Sequence, residues 1–150
     1  MKDAIVLDNV SKRYGPKEII HNISFKVGAG EIVGFLGPNG AGKTTTMKMI
    51  AGSTAATSGK VEVSGINMAT RNYEAAKKIG YLPEQPPLYD ILEVSSYLKF
   101  VAKTKGINKK NINSELNRVV EACKLESVFN AEIYKLSKGF RQRLGLAQAL

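Results

Sequence analysis

The chain has a single cysteine, a single histidine and no tryptophan among its 150 residues. Cys123 cannot form an internal disulfide, and with His21 as its only soft companion it argues against a thiolate metal cluster, thiol redox chemistry or a disulfide scaffold. Also missing is any stretch near the roughly 18 uninterrupted apolar residues that span a bilayer, so any link to a membrane runs through a partner. The opening MKDAIVLDNV has acids on both sides of a four-residue apolar run; it lacks the apolar stretch and cleavage site of a secretory leader, and a cytoplasmic chain is expected. Acids are in deficit, 13 against 22 Lys plus Arg, for a formal net charge of +9. That excess favours an anionic partner, whether nucleotide, nucleic acid or acidic membrane surface, without choosing among them.

What remains is ordinary for a soluble globular protein, with 43% apolar and 23% charged residues in a length that suits one core. Residues 4–7 and 19–27, separated by the turn-prone Tyr14-Gly15-Pro16, predict strands of an antiparallel sheet. From His21 to Val27 the alternation buries one face and wets the other. Residues 31–36 (EIVGFL) are apolar whichever way they point, the mark of a central parallel strand covered on both faces. A short helix is expected over 45–51, a strand over 60–64, a short helix over 73–79 and a strand over 79–82 that Pro83 stops. Helical spacing then takes over. Leu92, Ser96, Leu98 and Val101 share one face of 91–104, and Leu116, Val119, Val120 and Cys123 one face of 111–125, which read as a helical insertion. A last helix is expected from Ser137 to the final Leu150.

Between the buried strand 31–36 and the helix after it lies Gly37-Pro38-Asn39-Gly40-Ala41-Gly42-Lys43-Thr44, which satisfies G-x-x-x-x-G-K-[ST] in the context that pattern requires. The glycines let the backbone turn its N–H groups inward and approach phosphate oxygens closely, while the helix offers unpaired amides and the positive end of its dipole. Lys43 would reach the β- and γ-phosphates. Thr44 can lend its hydroxyl to Mg²⁺, and Thr45 lies in the same first turn. A phosphate loop alone names only nucleotide phosphate binding, shared by kinases, GTPases, motors and transport ATPases.

A second motif discriminates. Leu136-Ser137-Lys138-Gly139-Phe140, followed by Arg141-Gln142-Arg143 and an apolar helix, resembles the LSGGQ signature of ATP-binding cassette proteins, with Lys138 and Phe140 in place of the family's second-to-last glycine and its glutamine. This variant is similar to that of bacterial drug-, lipid- and gliding-motility-type exporters. The resemblance implies an α/β fold: a P-loop cassette with an N-terminal antiparallel β part, parallel core strands and a helical insertion. It divides the chain into a nucleotide-binding core over about 1–84, a Q-loop and helical subdomain over about 85–140, and the signature motif and helix over 136–150. It implies ATP and Mg²⁺ as ligands, Tyr14 as the adenine-stacking aromatic, and a strand at Ile79–Pro83 leading into the Q-loop, where Glu84 or Gln85 contacts the metal. The signature would face ATP held by a second cassette in a homo- or heterodimer, and residues 86–94 would face membrane-spanning permease subunits. The subunit would sit at the inner face of the membrane through that partner and export a substrate, with no nucleic acid involved.

The family's hydrolysis also needs an apolar strand ending in Asp, a Glu beside it and a later histidine, and no apolar run ending in Asp-Glu occurs in these residues. No catalytic residue is therefore assigned; the chain is expected to be a partial cassette that binds ATP without efficient turnover, its strand 31–36 lacking a parallel neighbour. Residues 99–124 carry seven basic side chains against Glu115 and Glu121, read first as a solvated helical face. The rival readings are a cassette ATPase acting on nucleic acid or ribosomes and a non-catalytic nucleotide-binding regulator. With Gln85 and Ser137 only 52 residues apart and no heptads between them, a DNA-repair cassette with a long coiled coil is disfavoured.

Overall fold

The computed structural model describes residues 3–150. These form two compact units, the first ending at Ile79 and the second running from Gly80 to Leu150.

The first unit is built on one antiparallel sheet of order β2-β1-β3-β4, from β1 (Asp3–Tyr14), β2 (Lys17–Gly28), β3 (Ser58–Val63) and β4 (Ile66–Asn67). The Tyr14–Lys17 pair closes the β1–β2 hairpin around Gly15, at φ 56°. A two-residue loop needs positive φ to match strand twist, and glycine adopts it without a Cβ clash. β1 runs well past the expected 4–7, through an irregular register between Leu7 and Val10 with Asn9 at φ 49°. Along β2, Ile23, Phe25 and Val27 are half-buried while Asn22, Ser24 and Lys26 are exposed, the alternation the sequence predicts. α1 (Lys43–Ile50) and the short α2 (Asn72–Ala76) add Met49, Ile50 and Ala75 to a core of Leu7, Val10, Ile20, Val61, Val63 and Met68.

Two expected strands are corrected. Residues 31–36 and 79–82 belong to no ladder, and Ile32, Val33 and Leu36 are 102%, 54% and 92% exposed. A strand is stabilised by a neighbour that accepts and donates its backbone hydrogen bonds, and none of the described segments lies alongside to do so. The antiparallel part of the expected architecture is present; parallel pairing is absent among the described residues.

The second unit packs α3 (Val94–Thr104), α4 (Ile112–Cys123) and α5 (Lys138–Ala149) around Val94, Tyr97, Leu98, Leu116, Val119, Val120, Cys123, Leu144 and Ala147. The four residues expected on the inner face of α4 are all buried. On α3 the expected face is displaced: Ser96 is exposed, and Val94, Ser95, Tyr97, Leu98 and Ala102 point inward. The helix starts at Val94 rather than Ile91, and its apolar stripe is set by 94, 98 and 102 with 97, the i, i+3 and i+4 spacing that shares one face, from which Ser96 points away.

Candidate functional site

α1 begins directly at Lys43, and Gly42 precedes it at φ 88° as the N-cap, with no side chain capping the helix. The first intrahelical bond runs from Thr46 N–H to Gly42 O at 2.8 Å. The amides of Lys43, Thr44 and Thr45 therefore lie ahead of the helix's own hydrogen bonds and face outward at its positive end. Thr46 is buried, and its hydroxyl donates to Gly42 O at 3.1 Å, locking the turn from behind. Gly42 itself is wedged against β2: a Cβ there would overlap Ile20 Cδ1 and lie 3.2 Å from Ile19 O. Position 42 thus needs glycine twice, for its positive φ and for its lack of a side chain.

Ahead of the helix the loop turns tightly, with Ala41 N–H donating to Pro38 O at 3.2 Å and Gly40 at φ 83°. Lys43 bends back over this turn, and its ammonium donates to the carbonyls of Gly37 and Pro38, each at 2.7 Å. The Lys43 ammonium, the three leading amides and the exposed Thr44 hydroxyl thus lie together on one loop of basic and N–H donors. All nine residues singled out from Gly37 to Thr45 are brought together on it. Tyr14 lies on the same hairpin as the β2 residues that Gly42 touches; Ile20 is three residues beyond Lys17, Tyr14's cross-strand partner, roughly 10 Å along the strand. The Tyr14 ring is 51% exposed, with Lys12 Nζ 4.8 Å from its centroid.

In the second unit Ser137 is the N-cap of α5, and its side chain accepts from Phe140 N–H at 3.3 Å. Leu136 is buried, while Ser137, Lys138 and Gly139 are exposed at the helix tip and Phe140 is half-buried beneath the Arg143 guanidinium, 5.3 Å from its ring. Sequence reasoning missed what holds this tip to the segment before α3. Gln142 Nε2 donates to Glu84 O at 2.7 Å; Arg141 donates to Asp90 Oδ1 at 2.6 Å and to Ile133 O at 3.1 Å. At Gly145 a Cβ would stand 2.5 Å from Pro86 Cγ and 2.8 Å from Leu82 Cδ1. Glycine inside an amphipathic helix is a known sign of close approach, and here that signal stood in the sequence. Glu84 and Gln85 are both exposed; among the described residues no three His, Cys, Asp or Glu side chains cluster in a way that holds a metal.

A glycine loop that leads with unpaired amides into a helix defines a P-loop domain of the α/β class, and the second unit separately carries a helix tipped by a serine cap. The comparisons carry this further. The ABC transporter family model matches residues 20–150. Over 147 residues the chain is 39% identical to the Nod factor export ATP-binding protein I of Rhizobium etli, covering 98% of this chain and 46% of that protein. It is 37% identical over 150 residues to the bacitracin transport ATP-binding protein of Bacillus licheniformis, covering 100% and 48%. The ATP-binding subunit of an ABC transporter superposes with a TM-score of 0.86 at 26% identity, over 97% of this chain and 60% of that one. A dimeric bacterial ABC transporter cassette gives 0.84 at 26% identity, over 97% and 68%. The chain belongs to the ABC transporter ATP-binding family, and the expected fold class stands. It spans about half the length of these curated relatives. The family implies nucleotide binding. No helix among the described residues is long and apolar enough to cross a membrane.

Proposed function

We propose that this chain forms the ATP-binding part of an exporter subunit, with the 37–45 loop cradling the triphosphate of MgATP. The observation that carries the reading is the outward set of Lys43, Thr44 and Thr45 amides under the Lys43 ammonium, held open by a glycine that β2 allows no side chain. On binding, Lys43 exchanges the Gly37 and Pro38 carbonyls for phosphate oxygens, a stronger charge-assisted pairing. Tyr14 offers an exposed ring face to the adenine.

Hard oxygen donors suit Mg²⁺, which keeps few protein ligands and shares the phosphates. On this loop the Thr44 hydroxyl is the side chain that would hold it. The ion, when bound, neutralises charge developing on the phosphates. Ser137 and Gly139 present a hydroxyl and a close-approaching backbone to ATP bound by a second cassette, and residues 86–94 meet a permease subunit at the inner face of the membrane. Relatives named for Nod factor export and bacitracin transport support this assignment. By themselves these 150 residues bind ATP without efficient turnover, since no apolar strand ending in Asp-Glu occurs in them.

The test is the thermal midpoint with and without MgATP. Ligand at 100 times its Kd stabilises by about 2.7 kcal/mol, a rise of several degrees in the midpoint of the first unit. Lys43→Ala removes that rise; an equal rise in Lys43→Ala contradicts the cradle.

A further inference from the structure

Five lysines gather at the corner where α3 passes into α4. Lys99 and Lys103 lie one helical turn apart on the outward face of α3, and Phe100 flanks them, 47% exposed. Lys105, Lys109 and Lys110 follow in the link, all exposed. The link is pinned. Gly106 at φ 77° donates its N–H to Lys103 O at 3.0 Å, and Ile107 N–H donates to Ala102 O at 3.0 Å, the paired bonds of a Schellman ending. Asn108 then accepts from Lys110 N–H at 3.1 Å. The backbone that carries the charges is thus held around one turn of chain.

Two of them have no structural reason to be there. Lys103 and Lys105 complement the negative end of α3, but Lys109 and Lys110 sit at the positive end of α4, where the dipole penalises them. Among the described residues none of the five pairs with a carboxylate; the nearby Glu115 is held by Arg118 at 2.8 Å. Concentrated, uncompensated charge of this kind calls for an anionic counter-surface.

We propose that this corner is a contact surface for anionic phospholipid headgroups. The chemistry favours lipid over nucleic acid. Every free cation is a lysine, a mobile point charge suited to a diffuse plane of headgroups, and the one arginine of the stretch is already engaged, so the bidentate forks that read phosphate and base edges are absent from the patch. Phe100, half-exposed beside the basic face with its ring edge-on to Tyr89 at 5.7 Å, suits insertion at the headgroup level, whereas single-stranded nucleic acid asks for successive stacking platforms. The inference is independent of the nucleotide reading, because no residue of the phosphate loop takes part.

Vesicle flotation of the chain tests it, with phosphatidylcholine alone or with about a third phosphatidylglycerol. Each lysine at an anionic surface gains roughly fivefold in partitioning, so changing Lys99, Lys103, Lys109 and Lys110 together to Gln is expected to lower binding to the anionic vesicles by about 100-fold or more. The control changes Lys17, Lys48, Lys77 and Lys78 to Gln, an equal loss of charge elsewhere, and is expected to lose far less. Because the chain has no tryptophan, Phe100→Trp supplies a single reporter whose emission shifts to the blue with anionic vesicles only. Equal losses in the two quadruple variants, an unshifted tryptophan, or binding of duplex DNA through the same lysines with none to the anionic vesicles would each overturn the proposal.

Discussion

Replacing Gly42 by alanine tests how the phosphate loop is held. At φ 88° an L-residue is in the left-handed region, which costs about 1 kcal/mol. The added methyl would also overlap Ile20 Cδ1 and stand 3.2 Å from Ile19 O, an overpacking that adds about 1–3 kcal/mol. The expected loss is therefore about 2–4 kcal/mol. Gly40 supplies the control, because its φ is 83° yet nothing lies within 4 Å of a Cβ placed there; Gly40→Ala should lose only the backbone part, about 1 kcal/mol. Urea unfolding followed by circular dichroism, compared at constant m, measures both. A third variant closes the argument. Ile20→Val removes the offending methyl at its own cost of about 0.5–1.5 kcal/mol, and Gly42→Ala in that background should cost less than in the parent, a coupling of at least about 0.5 kcal/mol. Equal losses at positions 40 and 42, or strict additivity with Ile20→Val, would refute the claim that β2 sets the loop's shape.

Ser137→Ala removes the cap of α5 and should cost about 1 kcal/mol in denaturant unfolding, with Ser137→Asn recovering most of it; no loss would show that the Phe140 N–H needs no partner. Burial pushes the Tyr97 hydroxyl above its usual value of 10.0, with Tyr89 adding to the rise. The neutral form is therefore favoured in the folded state, so this stability is fully present below about pH 10 and is lost as pH rises through that value and beyond. Unfolding titrations from pH 8 to 11 should show the decline, and Tyr97→Phe should flatten it; a Tyr97→Phe variant with an unchanged alkaline slope would contradict the assignment.

The loop from Gly37 to Thr45 was legible because its chemistry is local: glycines, lysine and threonine act within one turn of chain, and their spacing alone dictates where the amides point. The inner face of α4 was legible for the same reason, since its periodicity repeats over three turns. Strand 31–36 was misread because apolar composition reports what a segment would bury, whereas a ladder also requires a partner, and Ile32 and Leu36 have none beside them. Ser96 falls on the outer side because at 3.6 residues per turn it stands about 160° around the helix from Leu98. The links from Arg141 to Asp90 and from Gln142 to Glu84 join residues 51 and 58 positions apart. No periodicity encodes such pairs; only Gly145, in the middle of a helix, hinted at a close neighbour.

The central claim is that the triphosphate binds on the amides that open α1. Backbone amide shifts recorded while MgATP is titrated into the chain test it most directly. The account predicts saturable shifts concentrated at Gly40, Gly42, Lys43, Thr44 and Thr45, abolished by Lys43→Ala. Shifts absent from these residues, or unchanged when Lys43 is removed, would contradict it.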